Sequence, residues 1–148
     1  MRFLIILILF IFSYAENMEI LANHFEYNQE NNLSQFIGNV KVTKNNEKIE
    51  SNKLIVYTTK DRKLYKLIAQ GNVKFKITNQ NATYIGTSDK LTYIKPKQLF
   101  ILEGHVHITK TQDNQQLFGN KVIIDKKNGT ANVIGSKNKP IKFIIKVN

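Results

Sequence analysis

A four-fold internal repeat restricts this chain more than any other feature of its sequence. One element opens on Asn or Asp and continues with alternating apolar residues: Asn23-His24-Phe25-Glu26-Tyr27, Asn52-Lys53-Leu54-Ile55-Val56, Asp89-Lys90-Leu91-Thr92-Tyr93 and Asn120-Lys121-Val122-Ile123-Ile124. A second element closes on Gly and runs on into a β-rich stretch: Phe36-Ile37-Gly38-Asn39-Val40, Ile68-Ala69-Gln70-Gly71-Asn72-Val73 and Leu102-Glu103-Gly104-His105-Val106. Its fourth copy, Val133-Ile134-Gly135-Ser136, is degenerate. Successive glycines are 33, 33 and 31 residues apart, and each Asn or Asp precedes its glycine by 15, 19, 15 and 15 residues. Two coupled elements recurring in one order mark a repeat architecture, in which each unit buries its apolar face against its neighbours.

Both elements read as strands. Val40 and Val42 alternate with Asn39 and Lys41, Val73, Phe75 and Ile77 with Asn72, Lys74 and Lys76, and Val106 and Ile108 with His105 and His107. Period-two alternation gives one buried face and one wet face. Turn-forming clusters separate the runs at 28–32, 44–47, 60–63, 78–81, 113–115 and 127–129. No segment after the leader sustains a helical period. The repeated glycines fall in the inward phase, where a missing side chain permits a bulge. The inward set by alternation is Phe25, Tyr27, Phe36, Val40, Leu54, Val56, Tyr65, Leu67, Val73, Phe75, Leu91, Tyr93, Phe100, Leu102, Val106, Ile108, Val122, Ile124 and Phe143. The expected fold is all-β: an open, twisted jellyroll of repeated strand pairs rather than a closed barrel. Alternation alone does not separate a packed core from an open trough.

The first fifteen residues stand apart. Met1-Arg2 gives a positive start, Phe3 to Phe12 is unbroken apolar sequence, and Ser13-Tyr14-Ala15 offers small residues where a signal peptidase cuts. Ten apolar residues fall short of the roughly 20 needed to cross a bilayer. The expectation is a cleaved leader over 1–15 and one domain over 16–148, with an uncleaved anchor as the competing reading. With no Cys, neither a disulfide nor a lipid-modified cysteine is available, so burial and strand pairing must hold the fold. A net charge of +11 favours polyanions such as anionic lipid or a phosphorylated glycolipid. Export to the periplasm disfavours nucleic acid. An AT-rich genome accounts for abundant Lys, Asn and Ile equally well.

Catalysis finds no foothold, and the chain is expected not to be an enzyme. There is no Gly-x-Ser-x-Gly elbow and no phosphate loop. His105-x-His107 puts two imidazoles on one strand, but no third ligand completes a metal set, and His24 is equally isolated. Asp89 with Asp125 or Glu103 could suggest paired acids, yet Asp89 occupies the Asn position of the other units and reads as a turn or capping residue. No metal, cofactor or catalytic residue is expected.

The motifs Asn52-Lys53-Leu54, Gly71-Asn72-Val73, Ser88-Asp89-Lys90-Leu91 and Gly119-Asn120-Lys121-Val122 resemble the OstA-like repeats of lipopolysaccharide-transport proteins, and the length and leader resemble the LptA family among them. The resemblance covers roughly Ile20 to Phe143. It implies a twisted V whose apolar interior accepts the acyl chains of lipid A. It further implies head-to-tail self-association through edge strands, linking an inner-membrane extraction complex to an outer-membrane translocon, with energy supplied by an ATPase elsewhere. The candidate edges are Ile20 to Tyr27 and Pro140 to Val147. The degenerate fourth unit departs from the pattern and leaves the pairing of the C-terminal edge open. Two other readings compete: a membrane-associated partner of the same pathway sharing the fold, and a periplasmic carbohydrate-binding β-sandwich, for which the absence of Trp removes the usual platform.

Overall fold

The computed structural model describes residues 18–79 and 82–147, so the expected leader and part of the turn at 78–81 lie outside the described residues. The chain runs through β1 (Met18–Leu21), β2 (His24–Asn28), β3 (Leu33–Lys44), β4 (Glu47–Thr58), β5 (Leu64–Asn79), β6 (Ala82–Ile94), β7 (Leu99–Lys110), β8 (Gln115–Asp125), β9 (Thr130–Ile134) and β10 (Lys142–Ile144). Every pairing is antiparallel, and β3 to β8 lie side by side in sequence order.

Each of these long strands is interrupted near its middle, and the interruptions line up across the sheet. The register shifts between Ile37 and Val40, Glu50 and Lys53, Gln70 and Val73, Thr87 and Lys90, and Glu103 and Val106. The cause lies in the second repeat element. Gly38, Gly71 and Gly104 have φ of +84°, +81° and +80°, and the following Asn39, Asn72 and His105 have φ of 49°, 48° and 49°. Glycine adopts positive φ freely, and Asn and His are among the residues that best tolerate it. Such a bulge bends its strand and increases the local twist.

The aligned bends divide the sheet into two layers. The first contains β2, the flanking halves of β3 to β8, and β9; the second contains β1, the other halves of the same strands, and β10. Inward side chains of both layers join in one apolar cluster that includes Phe36, Leu54, Leu91 and Val122 from the first and Val40, Val73, Phe75 and Val106 from the second. The open, all-β jellyroll expected from the repeats is the observed architecture.

The coupling of the two repeat elements is a cross-strand contact. A Cβ on Gly38 would lie 2.8 Å from Nδ2 of Asn23, and one on Gly71 would lie 2.6 Å from Nδ2 of Asn52. A Cβ on Gly104 would strike the Asp89 carboxylate. By count the glycines occupy inward positions, but their missing side chains point at the exposed Asn or Asp of the first repeat element. Ser51 and Ser88, both buried, brace the adjoining strands by donating to the carbonyls of Lys53 (3.0 Å) and Lys90 (3.1 Å).

One residue of the expected inward set, Tyr65, is corrected, and a second, Phe143, is inward but uncovered. Tyr65 is 45% exposed, because a second irregularity between Tyr57 and Thr58 reverses the phase at the start of β5 and Leu64 packs on the cluster instead. Phe143 pairs with Leu117 and so shares its inward face, but it stands on the last strand with no neighbour beyond and is 52% exposed. The degenerate fourth copy also has a structural reason. Gly135 starts a turn in which Ser136 N–H donates to the Lys139 carbonyl (2.8 Å), carrying the chain from β9 in one layer to β10 in the other.

Candidate functional site

Burial along the inward faces is complete beside the bend and mixed farther out. Leu54, Val73, Leu91, Leu102, Val106 and Val122, on or next to the bend, are at most 3% exposed. Farther out on the first layer, Leu67, Tyr93, Phe100 and Ile124 are half-buried, as are Ile49, Ile77, Ile108 and Leu117 on the second. Val56 (1%), Phe75 and Val42 stay covered among them. The interior is therefore a V, closed at its base by its own side chains and apolar up to its rim. Gly86 belongs to that shape: the Phe75 ring occupies the space a side chain at 86 would need.

Of the expected inward residues, Phe36, Val40, Leu54, Val56, Val73, Phe75, Leu91, Leu102, Val106 and Val122 are buried in the cluster. Phe25, Leu67, Tyr93, Ile108 and Ile124 pack against it half-buried, and Tyr27 and Phe100 are half-buried. Val42 and Ala69, in phase with Val40 and Leu67 but outside the expected set, are also buried. The shorter runs around Met18, Ile20 and Val133, which also pack on the cluster, carried too little pattern to be chosen.

Two aromatic pairs sit in this interior. Phe25 and Phe36 lie with ring centroids 4.7 Å apart, next to a cavity of about 270 Å³ at the N-terminal end lined by Ile20, Ala22, Asn23, His24, Phe25 and Phe36. Tyr93 and Phe100 stack at 4.5 Å, with Lys126 Nζ 5.5 Å from the Phe100 ring. Burial pushes the Tyr93 phenol above its ordinary 10.0, and the charge of Lys44 partly offsets this. Tyr93 thus stays neutral at physiological pH and offers a hydroxyl rather than a charge.

The histidines and acids singled out in the sequence have polar partners of their own, His24 at the border of the cavity. His105 Nδ1 lies 2.8 Å from Asp89 Oδ2, which gives Asp89 its place at the bend. His107 bonds Gln116 at 2.9 Å and stacks on Phe118 at 4.2 Å. His24 meets Glu26 at 3.0 Å. Asp125 accepts from the backbone N–H and side-chain amide of Asn128, which holds its carboxyl below the usual carboxylate range. Glu103 lies between Lys90 and Lys121 in the ladder. No cluster of three or more metal-ligating side chains occurs among the described residues. No helix among them is long and apolar enough to cross a membrane.

Among the described residues, both ends of the sheet are unpaired edges: β1 and β2 at one end, β9 and β10 at the other. The C-terminal edge is rich in exposed apolar side chains, with Ile141, Phe143, Ile144, Ile145 and Val147 all open to solvent.

Comparison with known proteins agrees with this geometry. The chain is similar in fold to LptH of Pseudomonas aeruginosa, described as the LptA-homologous periplasmic component of the lipopolysaccharide transport device. The TM-score is 0.75 at 13% sequence identity, over 89% of this chain and 96% of that one. A search of curated proteins gave no match. The family model for the LptA/LptD N-terminal domain of lipopolysaccharide-transport proteins matches residues 19–130, most of the chain. The chain belongs to that family of lipopolysaccharide-transport proteins.

Proposed function

We propose that this protein carries lipopolysaccharide across the periplasm, holding the acyl chains of lipid A inside the V while the sugars remain in water. The observation that carries the reading is the contrast between a sealed base and an apolar rim where half-buried residues stand among covered ones. Each acyl CH₂ removed from water contributes ~0.8 kcal/mol, so a lipid with several long chains needs continuous apolar cover to leave a membrane. Leu67, Tyr93, Phe100, Ile108 and Ile124 would touch the chains first, with Leu54, Val56, Val73 and Val122 beneath them. Lys44 and Lys126, the cations associated with Tyr93 and Phe100, are assigned to the lipid phosphates. The protein hydrolyses nothing in this scheme.

The open edges supply the assembly surface. Unpaired strands are templates for strand addition. The β9/β10 edge of one copy would pair with the β1/β2 edge of the next, continuing the trough from an inner-membrane extraction complex to an outer-membrane translocon. The direct test is Leu67→Arg, which places a charge at the rim. The variant should be secreted with unchanged β content and lose lipopolysaccharide binding. Undiminished binding by the folded variant would remove Leu67 from the trough and overturn the inward assignment.

A further inference from the structure

The two outer faces of the V differ in a way alternation does not require. On the second layer, the outer row beside the bend is polar for most of its length and includes Lys41, Glu50, Lys74, Thr87 and His107. On the first layer, one outer row holds four isoleucines and a threonine. Ile55 pairs with Ile68, Ile68 with Thr92, Thr92 with Ile101, and Ile101 with Ile123. This stripe crosses five adjacent strands, or about 19 Å at ~4.8 Å per strand. Contiguous apolar residues on both faces of a strand are the pattern of a sheet covered on both sides. Among the described residues, the main contacts of β4 to β8 are with their ladder neighbours, and the four isoleucines remain half-buried around a buried Thr92.

The rim of the stripe identifies its occupant. The next outer row towards the bend carries Lys53, Lys90 and Lys121, with Gln70 and Glu103 between them. Lysine stems lie along apolar surface while their ammonium groups reach beyond it. An apolar stripe bordered by lysines, on a chain of net charge +11, matches the boundary between acyl chains and anionic headgroups. A second copy is a poor cover, because it would bring another lysine row and another +11 against the first. We infer that the outer face of the first layer docks on anionic phospholipid membrane, with the isoleucines at the acyl boundary and the three lysines among the phosphates. This surface is separate from the trough and does not rest on the carrier reading.

The absence of Cys allows a single reporter to be placed cleanly. An environment-sensitive dye on Ile123→Cys should shift to the blue with vesicles of phosphatidylglycerol and phosphatidylethanolamine, and not with phosphatidylcholine alone. The same dye on Thr87→Cys, on the polar outer face, should not move. Ile68→Thr with Ile101→Thr keeps β-branched residues in the strands and should weaken vesicle binding at least fivefold, leaving lipopolysaccharide binding unchanged. The inference is overturned by a silent dye at position 123, by wild-type vesicle affinity in the double variant, or by equal shifts at positions 123 and 87. A shift at 123 that follows protein concentration without vesicles would also overturn it, in favour of a second copy.

Discussion

At the bend, Asn52 and Gly71 form the smallest unit that explains the fold. The glycine supplies a φ of +81° and leaves room for the amide above it. Gly71→Ala would suffer both the left-handed backbone and a Cβ held 3.0 Å from that of Asn52, a backbone-anchored atom that cannot swing aside. Gly129, at φ +66° with nothing within 4 Å, is the matched control. Gly71→Ala should cost about 2–4 kcal/mol in urea unfolding, against about 1–2 for Gly129→Ala. Equal losses would mean that the Asn–Gly contact plays no part. Asp125 gives a pH test. Its lowered carboxyl contributes stability that is present above the ordinary 3.8 and lost as pH falls through the lowered value. By NMR titration its midpoint should lie below 3.8 and rise towards it in Asn128→Ala. Both elements of the repeat were visible in the sequence, but their contact was not. Spacings of 15 and 19 residues do not state that two residues meet across a ladder, because that depends on hairpin lengths and register.

At the scale of strands, period two placed most of the interior because each inward position faces another inward position across the sheet. Leu54, Ala69, Leu91, Leu102 and Val122 form one such row. The rule failed at Tyr65, where one extra residue reversed the phase, and it could not see that Phe143 would lack a covering neighbour. It also passed over the outer isoleucines. Triplets such as Leu54-Ile55-Val56 and Phe100-Ile101-Leu102 satisfy an alternating template at their ends, so their middle residues go unweighed. The edge strands carry the prediction for assembly. Deleting the residues after Pro140 removes β10 and the exposed apolar tail, and should shorten oligomers while lipid binding persists. An unaltered size distribution across concentration in analytical ultracentrifugation would count against strand-edge pairing.

Across the molecule, the bends turn a single antiparallel sheet into a V with an apolar inside, two unpaired ends and two unlike outer faces. The fold class was legible because repeat, alternation and turn signals all agreed. Whether the interior is filled or open was not, since a core and a trough share the same inward residues and differ only in how far apart the layers stand. The proposed trough is closed at its base and would accept chains at its half-buried rim. Native mass spectrometry of the chain from Glu16 to Asn148, titrated with lipopolysaccharide and with its deacylated form, tests this in one experiment. The trough predicts binding of the acylated lipid and none of the deacylated one. Binding of neither by well-folded protein, or of both alike, would contradict it.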